Sequence, residues 1–112
     1  MHLVTAIIKA HRVEAVTDAL KDIGIGGITI ADAQGFGRQR GHTEVYRGSE
    51  YRVDFLPKVR VDVLCDTAQA DKVADVIADA ARTGKIGDGK IWITEVSRAV
   101  RIRTGETGED AL

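Results

Sequence analysis

The sequence predicts an α+β sandwich made of two strand–helix–strand halves. Three observations predict it. Short apolar runs rich in β-branched residues alternate with segments whose apolar residues recur at helical spacing. The order of these runs repeats: strand, helix, strand, then strand, helix, strand again. Between the halves lies one long hydrophilic stretch, "RQRGHTEVYRGSEYRVDF", Arg38 to Phe55, that matches neither periodicity.

Leu3 to Ile8 is the first strand, a short and mostly apolar run. Val13, Val16, Leu20 and Ile23 then recur at helical spacing, with Glu14, Asp18, Lys21 and Asp22 on the other faces. "GIGG", Gly24 to Gly27, stops this helix, because glycine takes the left-handed C-cap conformation cheaply. Ile28 to Gln34 is the second strand, ending at Gly35. After the polar stretch, Val59, Val61, Val63 and Cys65 alternate with Arg60, Asp62 and Leu64 in a third strand. Val73, Val76, Ile77, Ala80 and Ala81 form the stripe of a second helix, with Asp66 or Thr67 as its N-cap. "RTGKIGDGK" breaks that helix, and "IWITEV" is the fourth strand.

The natural packing is a ferredoxin-like βαββαβ sandwich: a four-stranded antiparallel sheet, both helices on one face, and a long loop between strands 2 and 3. The other sheet face then carries Thr5, Ile7, Ile28 or Thr29, and Leu64, with no element left to cover it. Closed symmetric self-association is the usual way to bury such a face. The alternative is a monomer with a modestly apolar sheet face.

The chain has 112 residues, which fits a single domain spanning 1–112. Sixteen basic residues nearly balance seventeen acidic ones, so no global positive excess serves general nucleic-acid binding. Cys65 is the only cysteine, which excludes an intramolecular disulfide and fits a reducing compartment. "MHLVTAIIKAHR" lacks a basic n-region and a cleavage site, and no run approaches the roughly 18 apolar residues of a membrane span. The expectation is a cytoplasmic protein.

Three stretches could carry chemistry. "GKIGDGK", Gly84 to Lys90, matches the start of a phosphate loop, but Ile91 follows where Ser or Thr should stand, and a strand follows where a helix should. Gly87 and Gly89 allow close backbone approach and Lys90 adds a charge, so an anion nest and a tight helix-to-strand turn are both open readings. In "VRIRTGE", Arg101 and Arg103 would share one face of an extended chain. Two guanidinium forks suit a polyphosphate; the other reading is a solvated edge with Val100 and Ile102 pinned inward. "GFGRQRG", Gly35 to Gly41, fails the dinucleotide spacing, yet its glycines could wrap a small anion beside Arg38 and Arg40, with Lys58 returning to the same region. His2, His11 and His42 lack metal-ligand spacing. Trp92 reads as core packing and Cys65 as a small hydrophobe.

"YRGSEY", Tyr46 to Tyr51, and "TGKIGDGKIWITEV", Thr83 to Val96, resemble the two signature motifs of the P-II nitrogen-regulatory signal proteins. "KVRVDV", from Lys58 to Val63, and "RTGE", Arg103 to Glu106, fit the same family, and the resemblance runs from Met1 to Leu112. It implies a compact homotrimer with ATP and ADP competing for clefts between subunits, and 2-oxoglutarate binding beside ATP with magnesium. It implies a switch loop at about 37–55 and a tail at about 97–112. The loop would dock onto ammonium channels, glutamine-synthetase regulators or other nitrogen and carbon enzymes, so membrane contact would come only through a channel partner.

By position, the resemblance assigns Gly87, Asp88, Gly89 and Lys90 to the phosphates, joined by Arg101 and Arg103 of a neighbouring subunit and by Arg38. Thr29 and Leu64 would flank the adenine, Gly35 and Gly37 would line the nucleotide, and Asp62 stands where glutamate is frequent. Gln39 would ligate magnesium and touch 2-oxoglutarate. Lys58 would pair with a 2-oxoglutarate carboxylate, assisted by backbone from Gly37 to Gly41, including Arg40, and by Gly87. Tyr51 matches the tyrosine that a nucleotidylyltransferase modifies. "KAHR", Lys9 to Arg12, departs from a frequent Lys-Pro-Phe, which alters the start of the first helix. A non-enzymatic sensor is the leading reading; a slow ATPase and a trimeric scaffold with decayed ligand sites are the alternatives.

Overall fold

The computed structural model describes residues 1–36, 43–46, 49–52 and 55–112. β1 (His2–Lys9) passes through a 3-10 turn (Ala10–Arg12) into α1 (Val13–Asp22), which is followed by β2 (Thr29–Gly35). β3 (Thr43–Tyr46) and β4 (Ser49–Arg52) come next, then β5 (Leu56–Cys65). A second 3-10 turn (Thr67–Gln69) leads into α2 (Ala70–Ala81), and β6 (Lys90–Glu95) and a last 3-10 turn (Gly108–Ala111) complete the chain.

The main sheet has four strands in the order β2-β5-β1-β6, each neighbouring pair antiparallel. This is the ferredoxin-like arrangement the alternating runs predict. Alternation decides the faces. Val4, Ala6 and Ile8 of β1 and Val59, Val61, Val63 and Cys65 of β5 are buried in one cluster with Val16 and Leu20 of α1 and Val73 and Ile77 of α2. At about 25 cal/mol per Å² of apolar surface removed from water, this layer dominates stability. Cys65 belongs to it as a free, buried thiol whose pKa burial pushes up, in keeping with a small hydrophobe.

Helix ends follow local chemistry. Gly24, at φ +86°, closes α1: its N–H donates to the Lys21 carbonyl, and the Ile25 N–H donates to the Leu20 carbonyl. That is a Schellman motif, and Ile25 packs against the core as the motif's apolar contact. Asp66 is the cap expected before α2; its carboxylate accepts from the Ala68 N–H at 2.8 Å. Pro57 lies in β5 where only β2 is a partner, since β1 pairs from Lys58 onward.

Four expectations need correction. The stretch between strands 2 and 3 contains a two-stranded ladder, β3 with β4, in which Thr43 faces Arg52 and Tyr46 faces Ser49. Main-chain pairing needs no apolar alternation, so a polar strand pair leaves no periodic trace. The tail does not run extended through Arg103. It turns at Ile102–Thr104 and returns, with Val100 bridged to Thr107. The Gly105 N–H donates to the Arg101 carbonyl and the Arg101 N–H donates to the Glu106 carbonyl. Arg101 and Arg103 therefore do not share one face of a strand, and Ile102 is 99% exposed, not pinned inward. Finally, Trp92 is 42% exposed. It lies opposite Thr5 on the sheet face away from the helices, because register places it one position off the core-facing Ile91 and Ile93. Ile28, one of the two residues weighed for the open face, packs against the core instead, and β2 starts at Thr29.

Among the described residues, no helix is long and apolar enough to cross a membrane.

Candidate functional site

The open sheet face gathers the site residues in rows. Thr29, Asp62, Thr5 and Trp92 stand opposite one another across all four strands. The next row reads Ala31, Arg60, Ile7 and Lys90, and the next Ala33, Lys58 and Lys9. Leu64 lies two positions from Asp62 on the same face, so Thr29 and Leu64 border one patch.

Thr5 has no exposed surface, and its hydroxyl donates to Asp62 Oδ1 at 2.6 Å. Arg60 Nε donates to the other oxygen at 2.9 Å. Burial works to raise the Asp62 pKa, but the hydrogen bonds from Arg60 and Thr5 and the Arg60 charge outweigh it, and the carboxyl is held below its ordinary value. Asp62 is thus a fixed anion on this face.

Residues 84–90 fold back against the sheet. Gly87 and Gly89 have φ of +89° and +99°. A Cβ on Gly89 would stand 1.7 Å from the Ile7 carbonyl oxygen, so this position must be glycine for the loop to lie on β1. The Asp88 carboxylate accepts from the Thr83 N–H and the Gly84 N–H, each at 2.9 Å, and from the Thr83 hydroxyl. Lys9 Nζ lies 3.2 Å from Asp88 Oδ1. The Thr83 hydroxyl and backbone bonds, helped by Gly84 and Lys9, hold the Asp88 carboxyl well below the usual carboxylate range.

Lys58 reaches the same loop from β5. Its Nζ donates to the Gly87 carbonyl at 2.6 Å. Gly35 makes room for the stem: a Cβ there would meet Lys58 Cγ at 3.1 Å. Burial, then the charge of Lys9, lowers the Lys58 pKa, while Asp88 opposes the shift. A cavity of about 240 Å³ adjoins the loop, lined by Ile7, Asp88, Gly89 and Lys90 on one side and by the end of α2 on the other.

The structure therefore brings together Gly35, Lys58, Gly87, Asp88, Gly89 and Lys90 at one end of the open face, and Thr29, Asp62 and Leu64 beside Trp92 farther along it. Arg101 lies elsewhere within its own chain: its guanidinium donates to the Leu112 carbonyl at 2.7 Å and stands 3.5 Å from Glu106 Oε1. Arg103 falls in the exposed turn. Gly37, Arg38, Gln39, Arg40 and Gly41 lie outside the described residues; Tyr51 is on β4, opposite Glu44. Lys9, Thr83, Thr5 and Arg60 were not singled out from sequence as site residues. Lys9 needs the β1–β5 register to be seen beside Lys58, whereas Thr83 could have been read from its Thr-Gly start ahead of an aspartate in a glycine turn.

The family profile described as "Nitrogen regulatory protein P-II" matches residues 1–106. The chain is 56% identical to "Nitrogen regulatory protein GlnK" of Escherichia coli strain K12 over 112 residues, all of both chains. It is 54% identical to "Nitrogen regulatory protein P-II" of Rhizobium meliloti strain 1021 and 53% to that of Azospirillum brasilense, again over the full length of each.

Proposed function

Because this chain belongs to the nitrogen regulatory protein P-II family, we propose that it is a non-enzymatic sensor of adenine nucleotides and 2-oxoglutarate. The observation that carries the reading is the bond from Lys58 to the Gly87 carbonyl. It ties the cation at the end of the long β2–β5 connection to the glycine loop at the mouth of β6. A ligand at that junction is felt by both.

The residues present suit a polyphosphate. Gly87 and Gly89, both at positive φ, form the backbone of an anion nest, and Lys90 is exposed at its end. ATP or ADP would lie here, with Thr29, Leu64 and Trp92 offering a mixed polar and apolar wall for a base. Lys58 would take a carboxylate of 2-oxoglutarate. Among the described residues no group of three His, Cys, Asp or Glu converges on a point. Magnesium would accordingly be held mainly by the nucleotide's own oxygens, with Gln39 as the protein ligand.

A sensor fits the carboxylates better than an ATPase does. Asp62 and Asp88 are each engaged by hydrogen-bond donors and a cation, and both are held below the ordinary range. Such groups are weak bases for activating water. The open face, with Ile7, Leu64 and Trp92, and the exposed Ile102 of the tail support closed self-association; in a homotrimer, subunit contacts would complete the nucleotide cleft. Nucleotide state would be passed to the loop carrying Tyr51, which would meet an ammonium channel, a glutamine-synthetase regulator or a related enzyme, and which a nucleotidylyltransferase would modify. A modified tyrosine adds a phosphodiester charge and bulk that block a docking surface.

Calorimetry tests the coupling. 2-Oxoglutarate should bind at least about tenfold more tightly with Mg-ATP than without it, a coupling within the usual range for linked sites. Equal affinity in the two titrations removes the proposed sensing mechanism.

A further inference from the structure

We propose that Lys9 is a positioning residue for the phosphate site: it fixes the loop 84–90 through Asp88 and Thr83, without itself touching the ligand. The inference rests on the nucleotide reading above and adds a residue that reading does not use.

The geometry is specific. Lys9 is the last residue of β1 and the register partner of Lys58. Its ammonium donates to the Thr83 hydroxyl at 3.0 Å and stands 3.2 Å from Asp88 Oδ1. The Thr83 hydroxyl also accepts from the Lys85 N–H, and the Asp88 carboxylate collects the N–H groups of Thr83 and Gly84. One ammonium thus contacts both side chains, Thr83 and Asp88, whose oxygens accept the bonds that close the loop upon itself. Three residues on, Arg12 grips the helix that leads into the loop, its guanidinium donating to the Ala80 carbonyl at the end of α2. Lys9 and Arg12, the two ends of "KAHR", are therefore a two-point clamp on the start of the glycine loop and the end of α2.

Electrostatics gives this clamp a functional consequence. Asp88 lies between the two nest glycines, where an uncompensated carboxylate would repel a polyphosphate. Lys9 neutralises that charge from the β1 side and leaves the N–H groups of the loop as the field a ligand meets.

The test is a double-mutant cycle on the full chain, read by Mg-ATP calorimetry and by amide hydrogen exchange of the ligand-free protein. Lys9→Met should weaken Mg-ATP binding about tenfold, the scale of one charge-assisted contact. Lys9→Arg should restore most of it. In an Asp88→Asn background Lys9→Met should change affinity less than in the parent, because the charge that Lys9 neutralises is already gone and only its bond to Thr83 is left to lose. The Thr83 and Gly84 amides should exchange faster in Lys9→Met and recover in Lys9→Arg. A Lys9→Met loss of equal size in both backgrounds would mean that Lys9 contacts the ligand directly, and would overturn the positioning role. Unchanged affinity and unchanged exchange in Lys9→Met would overturn it also. Failure of the unaltered chain to bind any adenine nucleotide would sink the nucleotide reading and this role with it.

Discussion

The two faces of the central sheet are built from the same strands and differ in almost everything else. On the helix side every β5 position from Val59 to Cys65 that points inward is apolar and buried, and β1 answers with Val4, Ala6 and Ile8. On the open side the same two strands present Lys58, Arg60, Asp62, Thr5 and Lys9, joined into hydrogen-bonded groups. One face holds the fold by area. The other holds a pattern of charge by geometry, and every described site residue on the sheet lies on it. Buried apolar and hydrogen-bonded polar side chains thereby alternate along single strands, so substitutions one position apart should have separable effects on stability and on the proposed ligand binding.

The largest expected effect is on the helix side. Leu20 is fully buried in α1 against the sheet. Leu20→Ala should lower stability by about 2–5 kcal/mol, the sum of lost transfer energy and the cavity left behind. Chemical denaturation measures it, and nucleotide affinity of the protein that remains folded should be unchanged. A loss of affinity without loss of stability would break the division between faces.

Gly89→Ala comes next and crosses the division. The added methyl meets the Ile7 carbonyl, and the residue sits at φ +99°. A strained backbone of this kind costs on the order of 1–3 kcal/mol. The loop should relieve the strain by lifting from β1, so Mg-ATP affinity should fall more than the melting temperature does. Equal binding to the unaltered chain would show that the loop's seat on β1 is irrelevant to the ligand.

The helix-side face was legible in the sequence because burial imposes a period. Val59, Val61, Val63 and Cys65 announce a half-buried strand, and Val16, Leu20, Val73 and Ile77 announce the helices above it. The open face was legible by family motif but not by physics. That Lys58 meets Gly87, 29 residues away, is decided by strand order and register, which no local pattern encodes. Trp92 shows the same limit: alternation in "IWITEV" says that neighbours face opposite ways, not which way is in. In the tail, "VRIR" carries the alternation of a strand, yet Thr104 and Glu106 hydrogen-bond to each other and favour a turn, so local polar chemistry overrides the apolar pattern.

A smaller effect belongs to Thr5→Val. Valine removes the hydroxyl that donates to Asp62 and leaves the carboxylate with Arg60 alone. The loss should be about 1 kcal/mol, the usual net value of one hydrogen bond with a charged acceptor partly compensated elsewhere. The Asp62 pKa should rise, which carbon-detected NMR of the carboxyl would follow. If Thr5→Val matches the parent in stability and Asp62 titrates as before, Thr5 is buried for packing alone.

The last test, and the one most diagnostic of the open face, concerns acid. Asp62 and Asp88 both have folded pKa values below the ordinary carboxylate value of about 3.9. The unfolded chain therefore takes up protons first as pH falls, and stability falls with it. The contribution of these two groups is complete above the unfolded pKa and is lost as pH drops through it toward the folded values. Asp88→Asn removes the titration at one of them. Unfolding by urea, followed from about pH 7 to about pH 2, should show the parent falling more steeply than Asp88→Asn, with the two curves converging in strong acid where a protonated carboxyl resembles the amide. Parallel curves would mean that the acid response resides in Asp62 or on surface carboxylates, and the Thr83–Asp88–Lys9 group would lose its electrostatic role. Leu20→Ala offers the contrast on the other face: its curve should lie lower at every pH and keep the parent's slope, because no proton is taken up where only methyl groups are removed.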